Sequence, residues 1–137
     1  MTDLSAVQVG DELPPLVKPP ISRTTLALFA GGSNDHNPIH IDIDFARNAG
    51  FDDVFAHGML LMAYLGQVLT SWAPQSALRS YGVRFRSITQ LGDEIRCSGR
   101  IAEIFEADGE RRARIALTAV NQNDDVKLAG EAIVAIA

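Results

Sequence analysis

Residues 57 to about 72 read HGMLLMAYLGQVLTSW, and a helix formed by this stretch would carry apolar side chains on nearly every face. A helix without a polar side has to be wrapped by the rest of its chain. The most apolar part, GMLLMAYLG at 58–66, is far shorter than the roughly 18 apolar residues that a membrane span requires, so the pattern predicts a central core helix. Pro74 ends it, and beyond Leu78 the period changes from that of a helix to that of strands.

Tyr81, Val83 and Phe85 alternate with Arg84 and Arg86, and Ile95, Cys97, Gly99 and Ile101 alternate with polar neighbours. Ala113, Ile115, Leu117 and Ala119 share one face of 111–122, and 126–136 follows the same pattern. The links EADGE and NQNDD have hairpin-turn composition, which predicts an antiparallel meander of about four strands with one apolar face. One greasy sheet face and one helix greasy all round are satisfied together if the sheet curls around the helix, an α+β fold of hot-dog architecture. Such a half-barrel has free edges and leaves part of the helix bare. A homodimer, or a heterodimer with a hot-dog paralogue, is therefore expected.

The first half is more irregular. Two proline pairs, Pro14-Pro15 and Pro19-Pro20, allow only a weak edge strand near the start. Ser22 is placed to cap a short helix carrying Leu26, Phe29 and Ala30, with Gly31-Gly32 as its stop, and Asp44 can cap FARNAG up to Gly50. At 137 residues the length predicts a single domain over 1–137. A net charge of -5 and a pI near 5.0 exclude a binder of nucleic-acid phosphates. The one cysteine, Cys97, gives no disulfide framework and no thiolate zinc site. With no signal-like start, a cytoplasmic protein without a membrane partner is expected.

Between the two short helices lies SNDHNPIHIDID, residues 33–44. His36 and His40, four apart, with Asp35, Asp42 and Asp44 nearby, raise a metal reading. Pro38 stands against it: the ring removes a backbone donor and drives Asn37 out of helical dihedrals, so the two imidazoles would not share a helix face. Solvation and helix capping account for Asp42 and Asp44, and His36 has no assigned role.

The run Phe29-Ala30-Gly31-Gly32-Ser33-Asn34-Asp35-His36-Asn37-Pro38-Ile39-His40 resembles the signature of the MaoC-like (R)-specific enoyl-CoA hydratases, the hydratase 2 group. The likeness continues through Phe45-Ala46, AHGML at 56–60 and YGVRFRSITQLGD at 81–93, nearly the whole chain. Two positions depart from the pattern: Asn34 stands where many members have glycine, and Gly66 where some relatives carry a hydroxyl residue.

The resemblance implies hydration of a trans-2-enoyl thioester to a 3-hydroxyacyl thioester, and the reverse dehydration, on coenzyme A or an acyl carrier protein. It implies no metal, and no cofactor beyond the substrate's own carrier. Asp35 and His40 would be the catalytic pair, activating water for Cβ and delivering a proton to Cα. The backbone N–H of Gly58, in the first turn of a buried helix, would hold the oxyanion, and Asn37 would support the loop. Which of Asp35 and His40 is formally acid or base stays open, as does the acyl group. His57 is expected as a satisfied core residue, and Arg79, Arg84 and Arg86 as a solvated strand face. Two other functions fit the same residues: a hot-dog acyl-CoA thioesterase, and a non-catalytic thioester-binding subunit of a heterodimer.

Overall fold

In the computed structural model, residues 2–137 are described, and the chain runs β1 (Leu16–Val17), α1 (Arg23–Ser33), α2 (Ile43–Asn48), α3 (Gly58–Thr70), β2 (Leu78–Phe85), β3 (Arg96–Ala107), β4 (Glu110–Val120) and β5 (Val126–Ala135). All strands form one antiparallel sheet in the order β1-β3-β4-β5-β2. Its concave face supplies Cys97, Ile115, Ala119 and Ala132, and α3 supplies Leu65, each of them fully buried. A curled sheet closed on one helix is the hot-dog arrangement that the hydrophobic pattern predicts. No helix among the described residues is long and apolar enough to cross a membrane.

The predicted four-stranded meander needs correction. Only β3, β4 and β5 are joined by tight turns, Asp108-Gly109 and Asp124 taking the positive φ angles those turns demand. β2 lies on the far side of β5, from Leu78 opposite Val134 to Phe85 opposite Leu128. The ten residues 86–95 are committed elsewhere: Thr89 C=O accepts from Ala56 N–H (2.9 Å) just before α3, and Asp93 C=O accepts from Ile21 N–H (3.0 Å) just before α1. A strand followed by such a crossing segment cannot make a hairpin with its successor.

As expected of a half-barrel, part of α3 is left bare. Leu60, Leu61, Leu65, Val68 and Leu69 face the sheet, whereas Met59 is 56% exposed and Ala63 and Gln67 lie on the same open side. The sheet reaches around only part of the helix, so the apolar surface exceeds what one chain can cover.

The short helices form where expected, but their ends shift. Ser22 Oγ accepts from Thr25 N–H (3.1 Å) and caps α1. The helix passes through Gly31-Gly32, however, and stops at Ser33, because the left-handed position falls to Asn34 (φ 62°). In α2 the cap is Asp42, whose carboxylate accepts from the N–H groups of Asp44 and Phe45. Asp44 lies inside the first turn, where its charge suits the helix dipole. Gly50 takes φ 96° just beyond, as anticipated.

Candidate active site

The segment between α1 and α2 is arranged by short-range hydrogen bonds, to side-chain oxygens in its first half and to the Asn37 and Pro38 carbonyls in its second. Asn34 turns the chain out of the helix, Asp35 N–H donates to Ser33 Oγ (3.2 Å), and Asn37 N–H donates to Asp35 Oδ1 (3.2 Å). Asn37 Oδ1 then accepts from Ile39 N–H (3.1 Å), capping one 3-10 turn that opens with Pro38 and closes on His40. Asn37 thus shapes the loop, and Pro38 enforces the non-α geometry that parts His36 from His40. His36 is left exposed, as are Asp42 and Asp44.

The half-buried His40 places Nδ1 2.7 Å from the carbonyl oxygen of Phe55. A carbonyl can only accept, so Nδ1 carries the proton and Nε2 of the neutral ring holds a bare lone pair. His57 Nε2 in turn donates to the Asp35 carbonyl (3.2 Å). The ring of His57 stacks on that of His40, centroids 4.0 Å apart and planes 26° from parallel, while Phe29 and Phe55 press edge-on against His57 and His40.

His57 is 1% exposed, and its Nδ1 has no hydrogen-bond partner among the described residues. Burial pushes its pKa below the ordinary imidazole value, the hydrogen bond to Asp35 opposing the shift only in part. It is the histidine that joins His40; the sequence rules out a His36–His40 pair through Pro38 but leaves His57 as a satisfied core residue, and its Nδ1 is in fact unpartnered. The one signal for it was a histidine standing directly before the most apolar helix.

One atom each of Asp35, His40 and His57 falls within a 4.8 Å cluster. A carboxylate and two imidazoles can ligate a metal, and one nitrogen of each ring, turned to a backbone carbonyl, leaves the other free as a lone-pair donor. The same lone pair and carboxylate are also equipped to move a proton.

Gly58 opens α3, where its N–H has no intrahelical acceptor. A Cβ there would stand 2.8 Å from the Phe85 ring, so that a side chain at this position would require the exposed ring to move. Two recesses border the start of α3, one at Gly58 and the other at Met59. One, of about 320 Å³, is bounded by Phe55, Gly58, Phe85, Arg86, Thr89 and Lys127. The other, of about 500 Å³, is almost wholly apolar, running past Asp35 along Phe29, Met59, Met62, Ala63 and Tyr81. At Gly66, on that second wall, a Cβ would touch the Tyr81 ring at 3.3 Å, and Tyr81 Oη donates to the Met62 carbonyl (2.6 Å).

The arginines divide. Arg79 forms a bidentate pair with Glu110 and Arg84 is exposed, as a solvated face implies, but Arg86 lines the smaller recess instead of standing apart from the site.

Comparison with known proteins follows this geometry. A family model described as MaoC like domain matches residues 6–124. The chain is 34% identical over 134 residues to 3-hydroxybutyryl-CoA dehydratase of Methylorubrum extorquens, covering 95% of this chain and 81% of that protein. It is 35% identical over 74 residues to a mitochondrial 3-hydroxyacyl-[acyl-carrier-protein] dehydratase of Arabidopsis thaliana, spanning 54% of this chain and only 45% of that relative. Among solved structures, an unliganded R-hydratase of Pseudomonas aeruginosa superposes with a TM-score of 0.84 at 27% identity, over 98% of this chain and 84% of that one.

Proposed function

The chain belongs to the family of MaoC-like domains, a family of hydratases and dehydratases, and we propose that it performs (R)-specific addition of water to a trans-2-enoyl thioester, and the reverse dehydration, with Asp35 and His40 as its catalytic pair. The observation that carries the assignment is the fixed tautomer of His40 beside Asp35. With Nδ1–H held by the Phe55 carbonyl, the lone pair of Nε2 is available to take a proton from water.

In the forward direction the water oxygen bonds to Cβ, the Cα–Cβ π electrons move towards the thioester carbonyl, and His40 Nε2 receives the water proton. Asp35 has one carboxylate oxygen engaged by the Asn37 N–H, and the other can orient the water and offset the imidazolium charge. The proton then passes to Cα, so that H and OH have been added and both side chains are restored. The enolate oxygen formed on the way would meet the N–H of Gly58, a donor of the kind worth about 2.7–4 kcal/mol at a transition state. The reactants are water and the thioester, so the scheme uses no cofactor beyond the carrier.

We read residues 1–137 as one such domain working as a dimer with itself or with a hot-dog paralogue. The uncovered side of α3, with Met59 and Ala63, and the open edge of β2 support that reading.

The test is hydration of crotonyl-CoA, followed by loss of enoyl absorbance and by the chirality of the product. Asp35→Asn should reduce turnover about 10²–10⁴-fold with an unchanged circular dichroism spectrum. Unimpaired turnover in that variant would remove the assignment, and release of free thiol by the parent protein would replace it with thioester hydrolysis.

A further inference from the structure

The metal reading that Pro38 denies to His36 and His40 returns with a different partner. Asp35, His40 and His57 come from the loop after α1, the 3-10 turn and the residue before α3, and one donor atom of each lies within 4.8 Å of the other two. No other group of three such side chains converges in this way among the described residues.

We propose that these three side chains bind a zinc ion, and that the bound ion switches hydration off. His40 Nε2 and the Asp35 carboxylate cannot serve a water molecule and a metal at once. The switch rests on the catalytic reading above, whereas the binding site does not.

The tautomers are already those of a metal site. His40 Nδ1–H donates to the Phe55 carbonyl (2.7 Å) and His57 Nε2–H to the Asp35 carbonyl (3.2 Å), which leaves lone pairs on His40 Nε2 and His57 Nδ1. Carbonyls behind ligating histidines act in this way in metal sites generally, fixing the ring and raising the basicity of the opposite nitrogen. The hydration scheme uses the lone pair of His40 and leaves that of His57 idle. His57 is 1% exposed, and its Nδ1 is buried without a hydrogen-bond partner among the described residues. A buried acceptor left unpaired is destabilising, and a bound ion would remove that penalty.

Asp35 completes the set. One carboxylate oxygen accepts from Asn37 N–H (3.2 Å), and the other makes no hydrogen bond among the described residues. The residue is exposed beside the larger recess, which gives an ion its way in. Two imidazoles and a carboxylate are zinc ligands, with a fourth position left for water, whereas magnesium and calcium call for oxygen ligands. Zinc–nitrogen bonds of about 2.0–2.1 Å in a tetrahedral arrangement place ligand atoms about 3.4 Å apart, so the cluster has to tighten. Half-buried His40 and exposed Asp35 are the members with room to move, and they close on buried His57 as the stack of the two rings opens.

The experiment titrates the untagged full chain with zinc chloride in a calorimeter, beside His57→Gln and His36→Ala, with magnesium chloride as the control. His57→Gln keeps a donor for the Asp35 carbonyl but has no ring nitrogen to ligate. The parent should bind one zinc per chain and no magnesium, and His36→Ala should match it. In His57→Gln the Kd should rise about 10²-fold, the upper end of what even a lost outer-shell partner costs. Cobalt in place of zinc should give the visible absorption of a four-coordinate ion in the parent and not in His57→Gln, a readout independent of turnover. Absence of zinc heat, equal Kd in the parent and in a folded His57→Gln, or loss of binding in His36→Ala would each overturn the site. Should His57→Gln not fold, Asp35→Asn, which removes the carboxylate ligand, makes the same comparison. Saturating zinc should also stop hydration of crotonyl-CoA, with recovery on adding a chelator, and turnover that persists with zinc bound would refute the switch. A parent that hydrates no thioester removes the reaction reading and the switch with it, while the calorimetry still decides the site.

Discussion

His40 and His57 lie ring on ring, 4.0 Å between centroids, and the buried member of the pair also holds the backbone of Asp35 through its Nε2–H. One side chain thus touches both members of the proposed catalytic pair. His57→Leu keeps the volume roughly and removes the donor, and should lower kcat by on the order of 10²-fold, the usual cost of small misplacement. His57→Gln, which can still donate to the Asp35 carbonyl, should recover part of that loss. Comparable kcat in the two variants would show the hydrogen bond to be idle.

The same residue sets a pH dependence of stability. Burial lowers the folded pKa of His57 below its ordinary value of 6.5, so below that pH the unfolded chain takes up a proton that the folded chain resists. Its contribution is complete above pH 6.5 and fades as the pH falls. Urea midpoints measured from pH 7.5 to 5 should decline less steeply in His57→Gln than in the parent.

Asn34 ends α1 with φ 62°, and Asp35 follows directly. Asn34→Gly should be neutral to within about 0.5 kcal/mol and retain hydration activity, because glycine enters that region freely. Asn34→Val should cost about 1–2 kcal/mol, and the strain next to Asp35 should lower kcat as well. Paired thermal melts and turnover measurements decide this.

Gly130 of β5, opposite Val83, and Gly82 of β2, opposite Glu131, lie diagonally across the two strands with unequal room. A Cβ on Gly130 would stand 2.1 Å from the Gly82 carbonyl oxygen, a backbone atom with no freedom to yield, whereas a Cβ on Gly82 would meet nothing within 4 Å. Gly130→Ala should destabilise by about 3 kcal/mol and loosen the β2 edge, while Gly82→Ala should change little. Denaturation midpoints, with amide exchange on β2, provide the measurement.

Glu110 sits between Arg79 and Arg112, and their guanidinium hydrogen bonds hold its carboxyl down to about 2, against an ordinary 4.5. The sign is that of a depressed acid: the stabilisation is present above pH 4.5 and lost as the pH falls towards 2. Melting temperature should therefore drop between pH 5 and 2.5 in the parent, and less so in Glu110→Gln.

What the residues alone determined follows from local rules. The hydrophobic period marked α3 and the strands, Ser22 and Gly50 took the cap positions that their chemistry favours, and the proline at 38 already separated His36 from His40. The run from Asp35 to His40 was legible because it is contiguous. Tertiary structure decided whatever joins distant segments. It stacked His57 on His40, put Phe55 on the Nδ1 of His40, and brought Lys127 and Arg86 to one recess beside Gly58. It also sent β2 to the far side of β5, because residues 86–95 bind the segments that lead into α1 and α3 instead of turning back. Sequence periodicity tells which face of an element is apolar, but which elements then become neighbours is settled only when the sheet closes over the helix.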